Sequence, residues 1–201
     1  MEEVIPQGSV LSCTLFALAI NDIPSCLPIG VKNSLYVDDF AIYYSSSSVR
    51  HATRILQEAI NAVSNWSRAV GFRFFTEKTK AVTFYRDSRW LKGQIPSLSL
   101  YQTPIEFCRN FKFLGLIFDS HMNWKAHLQY IKTKCIKALN LLKVLTHTNW
   151  GATRKIMIML YKATILSIID YASPIYSSAS PSALKTLDPI QNTGIRLYRS
   201  L

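Results

Sequence analysis

Acidic residues are scarce in this sequence. Its 201 residues hold 12 Asp and Glu against 23 Lys and Arg, a formal net charge of +11. That balance disfavours a partner of like charge and favours a polyanion. Charged residues of both signs make up only 17% of the chain and hydrophobic ones 49%. This composition excludes a disordered tail and leaves enough apolar surface for a core. Cysteine is sparse. Cys13, Cys26, Cys108 and Cys135 form no C-x-x-C pair and join no histidine at zinc spacing, which leaves reduced thiols as the expectation. His51, His121, His127 and His147 show no metal-ligand pattern either. Long apolar runs are missing: the best, Ile156 to Ile169, is interrupted by Lys162 and is too short to span a bilayer. Glu2 and Glu3 stand where a signal peptide carries basic residues, so no membrane partner and an intracellular location, nucleus or cytoplasm, are expected.

What charge there is lies unevenly. Residues 1–100 hold ten Lys/Arg against eight Asp/Glu, a net of +2, whereas residues 101–201 hold thirteen against four, a net of +9. The basic surface therefore belongs to the second half. No internal repeat is visible, and Ser45 to Ser48 are the sole low-complexity stretch.

Apolar spacing predicts a short buried helix over residues 9–22, with Leu11, Leu15, Leu18 and Ala19 on one face. Residues 33–44 alternate around Asp38-Asp39, the pattern of a β-hairpin with carboxylates at its tip. Ser48 suits an N-cap and Gly71 a C-cap for an amphipathic helix over 49–70. Strands are expected at 72–75 and 81–85 around a turn at 76–79, and a further hairpin over 103–118. From Asn123 the pattern is helical. Trp124, Leu128, Ile131, Cys135, Ala138, Leu142 and Leu145 form a stripe, flanked on one side by Lys125, Lys132 and Lys143. A second helix is expected over 152–171, stopped by Pro174. Ser180-Pro181 opens a third segment, with a kink or restart at Asp188-Pro189. The fold class is α+β: hairpins with helices over residues 1–120, then an all-α region over 121–201.

Asp38-Asp39 is the chemical centre. Two adjacent acids within apolar strands can converge on one hard cation at a tight hairpin tip, where Mg²⁺ prefers carboxylate and phosphate oxygens. The plainer account of the dipeptide alone is an acidic β-turn. The plainer accounts of its companions are a turn at Gln7-Gly8, a solvated charge at Lys78, a bulged strand at Leu114-Gly115 and a solvated helix face at Lys125, Lys132 and Lys143.

Four motifs in order carry a resemblance. Pro6-Gln7-Gly8-Ser9-Val10-Leu11-Ser12, Tyr36-Val37-Asp38-Asp39, Gly71-Phe72 with Lys78-Thr79-Lys80, and Phe113-Leu114-Gly115-Leu116 resemble successive motifs of the reverse transcriptases of non-LTR retrotransposons, LINE-type and near the jockey group. Tyr161 to Tyr176 and Leu187 to Asn192 resemble that family's helical C-terminal segment. The sequence departs from the family at Cys13, where proline is usual, and at Val4, where glycine is usual.

The resemblance implies a truncated reverse-transcriptase palm over 1–120 followed by a helical thumb over 121–201. It implies an RNA-directed DNA polymerase, a nucleotidyltransferase that adds dNMP to a primer 3′-hydroxyl by two-metal catalysis. Asp38 and Asp39 would be Mg²⁺ ligands and catalytic acids. Lys78 would be a catalytic residue near the pyrophosphate. Gln7, Gly8 and Tyr36 would lie along the template and nascent pair, and Phe113, Leu114 and Gly115 would position the primer. Lys125, Lys132 and Lys143 would follow the phosphate backbone. RNA template, DNA primer and dNTP are the implied partners. Only five residues precede Pro6, so a truncated, inactive product is expected, with a further aspartate and the nucleotide-holding fingers upstream. A rival reading is a non-catalytic nucleic-acid-binding remnant, or a thumb module put to another use.

Overall fold

The computed structural model describes residues 10–87, 96–146 and 151–199. Helix and strand mix throughout, in two compact units, Met1–Cys108 and Arg109–Leu201.

In the first unit, helix α1 (Ser12–Ile20) leads through a 3₁₀ turn at Ile23–Cys26 to strands β1 (Lys32–Tyr36) and β2 (Asp39–Tyr43). These pair antiparallel with Tyr36 opposite Asp39 and Leu35 opposite Phe40. Helix α2 (Val49–Val70) follows. The Ser48 hydroxyl accepts the His51 amide at its start, and Gly71 ends it with φ 85°, left-handed backbone that costs glycine nothing. One face of α2 serves two cores. Val63 joins Ile20 and Ile23, against which Phe16, Leu35, Phe40 and Trp66 pack. Ile60 joins Leu98, Leu100 and Ile105.

The short strands β3 (Lys80–Ala81), β4 (Ser99–Leu100), β5 (Thr103–Pro104) and β6 (Glu106–Phe107) pair as β4–β5 antiparallel and β3–β6 parallel. Helix α2 also completes the pairing of β4. The Gln57 carboxamide donates to the Ser99 carbonyl at 2.9 Å and accepts the Ser99 amide at 2.8 Å, so a side chain takes the place of a strand neighbour.

The second unit opens with the hairpin β7 (Asn110–Phe113) and β8 (Leu116–Asp119), then helix α3 (Lys125–Val144). Next comes a continuous helical rod: α4 (Arg154–Tyr161), a π-helical stretch (Lys162–Leu166) and α5 (Ser167–Asp170). Helices α6 (Ser173–Tyr176), α7 (Pro181–Leu184) and α8 (Asp188–Arg199) complete it. Ser180 caps α7 with Pro181 in its first turn, and α8 starts at Asp188 after a 3₁₀ turn, both as the sequence signals indicate. The core is one cluster built from Leu128, Ile131, Cys135, Leu139 and Leu142 of α3 against Met157, Ile165 and Ile190. At Gly194 of α8 the Tyr161 ring lies so close that an added Cβ would overlap it.

Several expectations need correction, including the strand over 81–85, of which only Ala81 pairs. Residues 103–118 are not one hairpin. Thr103–Pro104 pairs with β4, Glu106–Phe107 pairs with β3, and within this stretch only 110–119 forms a hairpin of its own. Residues 72–75 form no strand, because Phe72 and Phe74 point into the core of α2 from irregular backbone. Helix α1 exists over Ser12–Ile20, but Leu11 at its N-cap and Leu15 and Leu18 within it are exposed, and Ile20 is its buried residue. Leu139, rather than Ala138, is the fully buried member of the α3 stripe near its middle.

Candidate active site and nucleic-acid surface

The carboxylates stand at a tip that the backbone makes tight. Val37 and Asp38 form a two-residue turn between β1 and β2, and Val37 adopts φ 52°. Positive φ at the first turn position matches the twist of flanking strands, a place usually filled by glycine. A β-branched residue there is strained, and such strain persists only where surrounding packing enforces it. Here Leu35 and Phe40, opposite one another, anchor the hairpin in the core of the first unit. Asp38 lies in the turn itself, and Asp39 opens β2 opposite the exposed Tyr36. Both aspartates are exposed.

Two neighbouring hard oxygen donors open to solvent suit one divalent cation of the Mg²⁺ type, which keeps several waters and substrate phosphates in its shell. Among the described residues no group of three or more His, Cys, Asp or Glu is placed to hold a metal alone. The donor set therefore fits a shared site better than a closed structural one.

Lys78 sits in the turn after α2. Its ammonium lies 4.9 Å from the Phe75 ring centroid, a cation–π contact on an exposed side chain. Thr79 closes this turn through its amide and hydroxyl, both bonded to the Phe75 carbonyl. Two residues on, Lys80 is engaged differently. It binds Glu106 at 2.6 Å, and this bond raises the Lys80 pKa and lowers that of Glu106. Gln7 and Gly8 lie outside the described residues.

Phe113, Leu114 and Gly115 belong to the second unit. Leu114 (φ 46°) and Gly115 (φ 80°) are the two turn residues of β7–β8, both left-handed as a type I′ turn requires. From the end of α5, the Tyr171 hydroxyl donates to the Leu114 carbonyl at 2.8 Å. Its ring leaves only 3.0 Å to the place of a Gly115 Cβ. Gly115 is thus required twice, for its backbone and for the ring over it. Sequence pattern offered no signal for Tyr171.

Lys125, Lys132 and Lys143 emerge on one flank of α3, Lys125 and Lys143 exposed and Lys132 half-buried. The helix carries five lysines and no acid. Its start is fixed by Asp119, a residue the sequence reading passed over. This buried carboxylate accepts the amides of His121 at 3.0 Å, Asn123 at 3.2 Å and Trp124 at 2.9 Å. Trp124, buried and at φ 64°, donates its indole N–H to Ser178. Beneath α3 the His127 ring is buried. Its Nδ1 accepts the Ile117 amide, its Nε2 has no hydrogen-bond partner among the described residues, and its ring lies against those of Trp124 and Tyr176. Burial lowers its pKa.

Comparison with known proteins gives these elements a lineage. Residues 1–118 match the family described as reverse transcriptase (RNA-dependent DNA polymerase). The RNA-directed DNA polymerase from mobile element jockey of Drosophila melanogaster is 27% identical over 96% of this chain. The probable RNA-directed DNA polymerase from transposon X-element of the same species is 26% identical over 96%. A Pol polyprotein from type-1 retrotransposable element R1 2 of Nasonia vitripennis is 26% identical over 84%. The chain spans 21% of the length of the first two relatives and 42% of the third. No solved structure matches it. With more than half its residues inside the matched region, the chain belongs to the reverse transcriptase (RNA-dependent DNA polymerase) family.

Proposed function

We propose that this chain is one part of an RNA-directed DNA polymerase of a non-LTR mobile element. In this reading residues 1–120 form part of the palm and the helices over 121–201 form the thumb. RNA template, DNA primer and dNTP are the partners. The observation that carries it is the exposed Asp38-Asp39 pair on the strained tip at Val37, inside the stretch that matches the family.

The chain's own residues divide the work. Asp38 and Asp39 would hold Mg²⁺, which when bound supplies charge stabilisation at the oxygens of phosphoryl transfer. Tyr36, opposite Asp39, offers an exposed ring beside the carboxylates for a base or sugar. Lys78 offers its ammonium to leaving phosphate oxygens. The Phe113–Gly115 turn, latched by Tyr171, presents a rigid edge for the primer. Catalysis of this kind is mostly positioning and electrostatics, which suits rigid hairpin tips. The reduced thiols suit a nuclear or cytoplasmic setting.

The test joins this chain in frame to the upstream region of a full-length relative and measures primer extension on an RNA template. Asp38→Ala should abolish extension and leave template binding nearly unchanged. Retained extension would remove the catalytic assignment. Template binding without extension in the unsubstituted fusion would favour the non-catalytic, nucleic-acid-binding reading.

A further inference from the structure

On the flank of α3 away from Lys125, Lys132 and Lys143, one tyrosine gathers two lysines. The Lys112 ammonium, reaching over from β7, and the Lys134 ammonium, from one turn further along α3, each lie 4.9 Å from the Tyr130 ring centroid. Lys112 also donates to the Tyr130 hydroxyl at 3.0 Å. Two like charges are thereby held near one another on an exposed surface, against their mutual repulsion.

No carboxylate among the described residues pairs with either. Among the described residues the side-chain ion pairs are Arg54–Glu58 and Lys80–Glu106, both in the first unit. The second unit has three aspartates, Asp119, Asp170 and Asp188, and no glutamate. Of these, Asp119 is committed to the backbone amides at the start of α3. The Tyr130 hydroxyl feels the pair, because hydrogen bonds from Lys112 and then Lys134 lower its pKa.

We propose that Lys112, Tyr130 and Lys134 form a phosphodiester clamp, a site for a single backbone phosphate of a bound nucleic acid. The clamp rests on the nucleic-acid-binding reading above and adds a site of its own to it. Each ammonium carries three donors, so a phosphate bridging the two can be bonded by both while Tyr130 keeps them in register. The clamp links hairpin to helix: Lys112 lies on the β7–β8 hairpin whose turn Tyr171 latches, and Lys134 lies on the helix that carries the other lysines. A strand held here is fixed relative to both elements of the second unit.

Sharing one phosphate separates a clamp from two independent surface charges. The measurement is the dissociation constant of the full chain for an RNA/DNA duplex by fluorescence anisotropy across a salt series. The proteins are wild type, Lys112→Ala, Lys134→Ala, the double variant, Tyr130→Phe and Lys125→Ala. Circular dichroism confirms that each folds. Each single lysine loss should weaken binding about tenfold at low salt, the size of one charge-assisted hydrogen bond. It should also flatten the salt dependence by about 0.9 in log–log slope, the share of one phosphate. The double variant should bind little worse than either single one, whereas Lys125→Ala should add fully to Lys112→Ala. Tyr130→Phe, which keeps the ring and loses the hydroxyl, should fall between.

Additive losses at Lys112 and Lys134, or none, would overturn the clamp while the chain's nucleic-acid binding stood. Absence of duplex binding by the wild-type chain at low salt would overturn both. Inorganic phosphate supplies the last arm. If it shifts the Tyr130 resonances while duplex affinity ignores the lysine variants, the site takes free phosphate and the proposal fails.

Discussion

Replacing Asp119 by alanine should uncouple the hairpin from α3, and the cost can be worked from three bonds. The carboxylate accepts the amides of His121, Asn123 and Trp124 and is itself buried. Two of these amides belong to exposed residues that can recover a water. The third belongs to Trp124, which is 1% exposed and held at positive φ. A buried donor left without its partner costs about 1–3 kcal/mol, and each of the others loses about 1 kcal/mol net. The sum is roughly 3–5 kcal/mol, a large share of a small domain's stability of about 5–15 kcal/mol. Asp119→Asn is the sharper probe. Its one carbonyl oxygen can keep the His121 and Asn123 bonds, but its amide group faces the Trp124 N–H donor to donor, so about 2 kcal/mol should go. Urea unfolding followed by circular dichroism reads both, each unit being fitted as its own transition if two appear. A loss below about 1 kcal/mol in the alanine variant would refute the idea that this carboxylate sets the hairpin–helix junction.

Two further outcomes follow from the same core. His127 is buried with a lowered pKa, so the unfolded chain binds its proton first as pH falls. Stability should be full above the ordinary histidine value of about 6.5 and should decline below it, towards the lower folded value. Thermal melts of wild type and His127→Gln between about pH 7.5 and about pH 5 isolate this share, and an unchanged difference between the two proteins would refute it. At Gly194 alanine gains about 1 kcal/mol of helix propensity but meets the Tyr161 ring, an overpacking that costs about 1–3 kcal/mol. Gly194→Ala should therefore lower the melting temperature, and pairing it with Tyr161→Leu should recover part of the loss. A stabilised single variant would show that the ring moves aside freely.

Local signals were legible where one residue decides a boundary. Ser48 and Gly71 bound α2, Ser180-Pro181 opens α7, and Asp188-Pro189 opens α8, because caps and prolines act within a single turn. The hairpin around Asp38-Asp39 was legible because alternation and a polar tip coincide. Pairing over longer range was not. Residues 103–107 carry strand-like alternation but spend it on two different partners, and nothing local tells β5 to choose β4 and β6 to choose β3. Side chains that act on another element's backbone were equally hidden. Gln57 on β4, Tyr171 on Leu114 and Asp119 on the start of α3 are ordinary polar residues until the fold brings their targets within 3 Å or so. In the candidate site, the identity of Asp38 and Asp39 came from sequence, whereas the lysine pairing around Tyr130 came only from packing β7 beside α3.

The two hairpin tips solve one problem in different ways, and the difference bears on their roles. Each needs positive φ at its first turn residue, and each places a non-glycine there, Val37 in one and Leu114 in the other. Such a residue costs about 1–3 kcal/mol, which its surroundings must offset. At Leu114 the offset is local: Gly115 relaxes the second turn position and Tyr171 fastens the carbonyl from outside. In the proposed reading, a tip fastened in this way would serve as a fixed edge for a primer strand laid against it. At Val37 the offset lies back along the strands, in Leu35 and Phe40, so the turn itself stays open to solvent with both carboxylates exposed. In the proposed reading, an external latch like Tyr171 would compete for that open space with a bound cation and its phosphate ligands. On that reading, the strained valine leaves the acids uncovered at a defined tip, the combination that metal-assisted phosphoryl transfer would ask of its ligands.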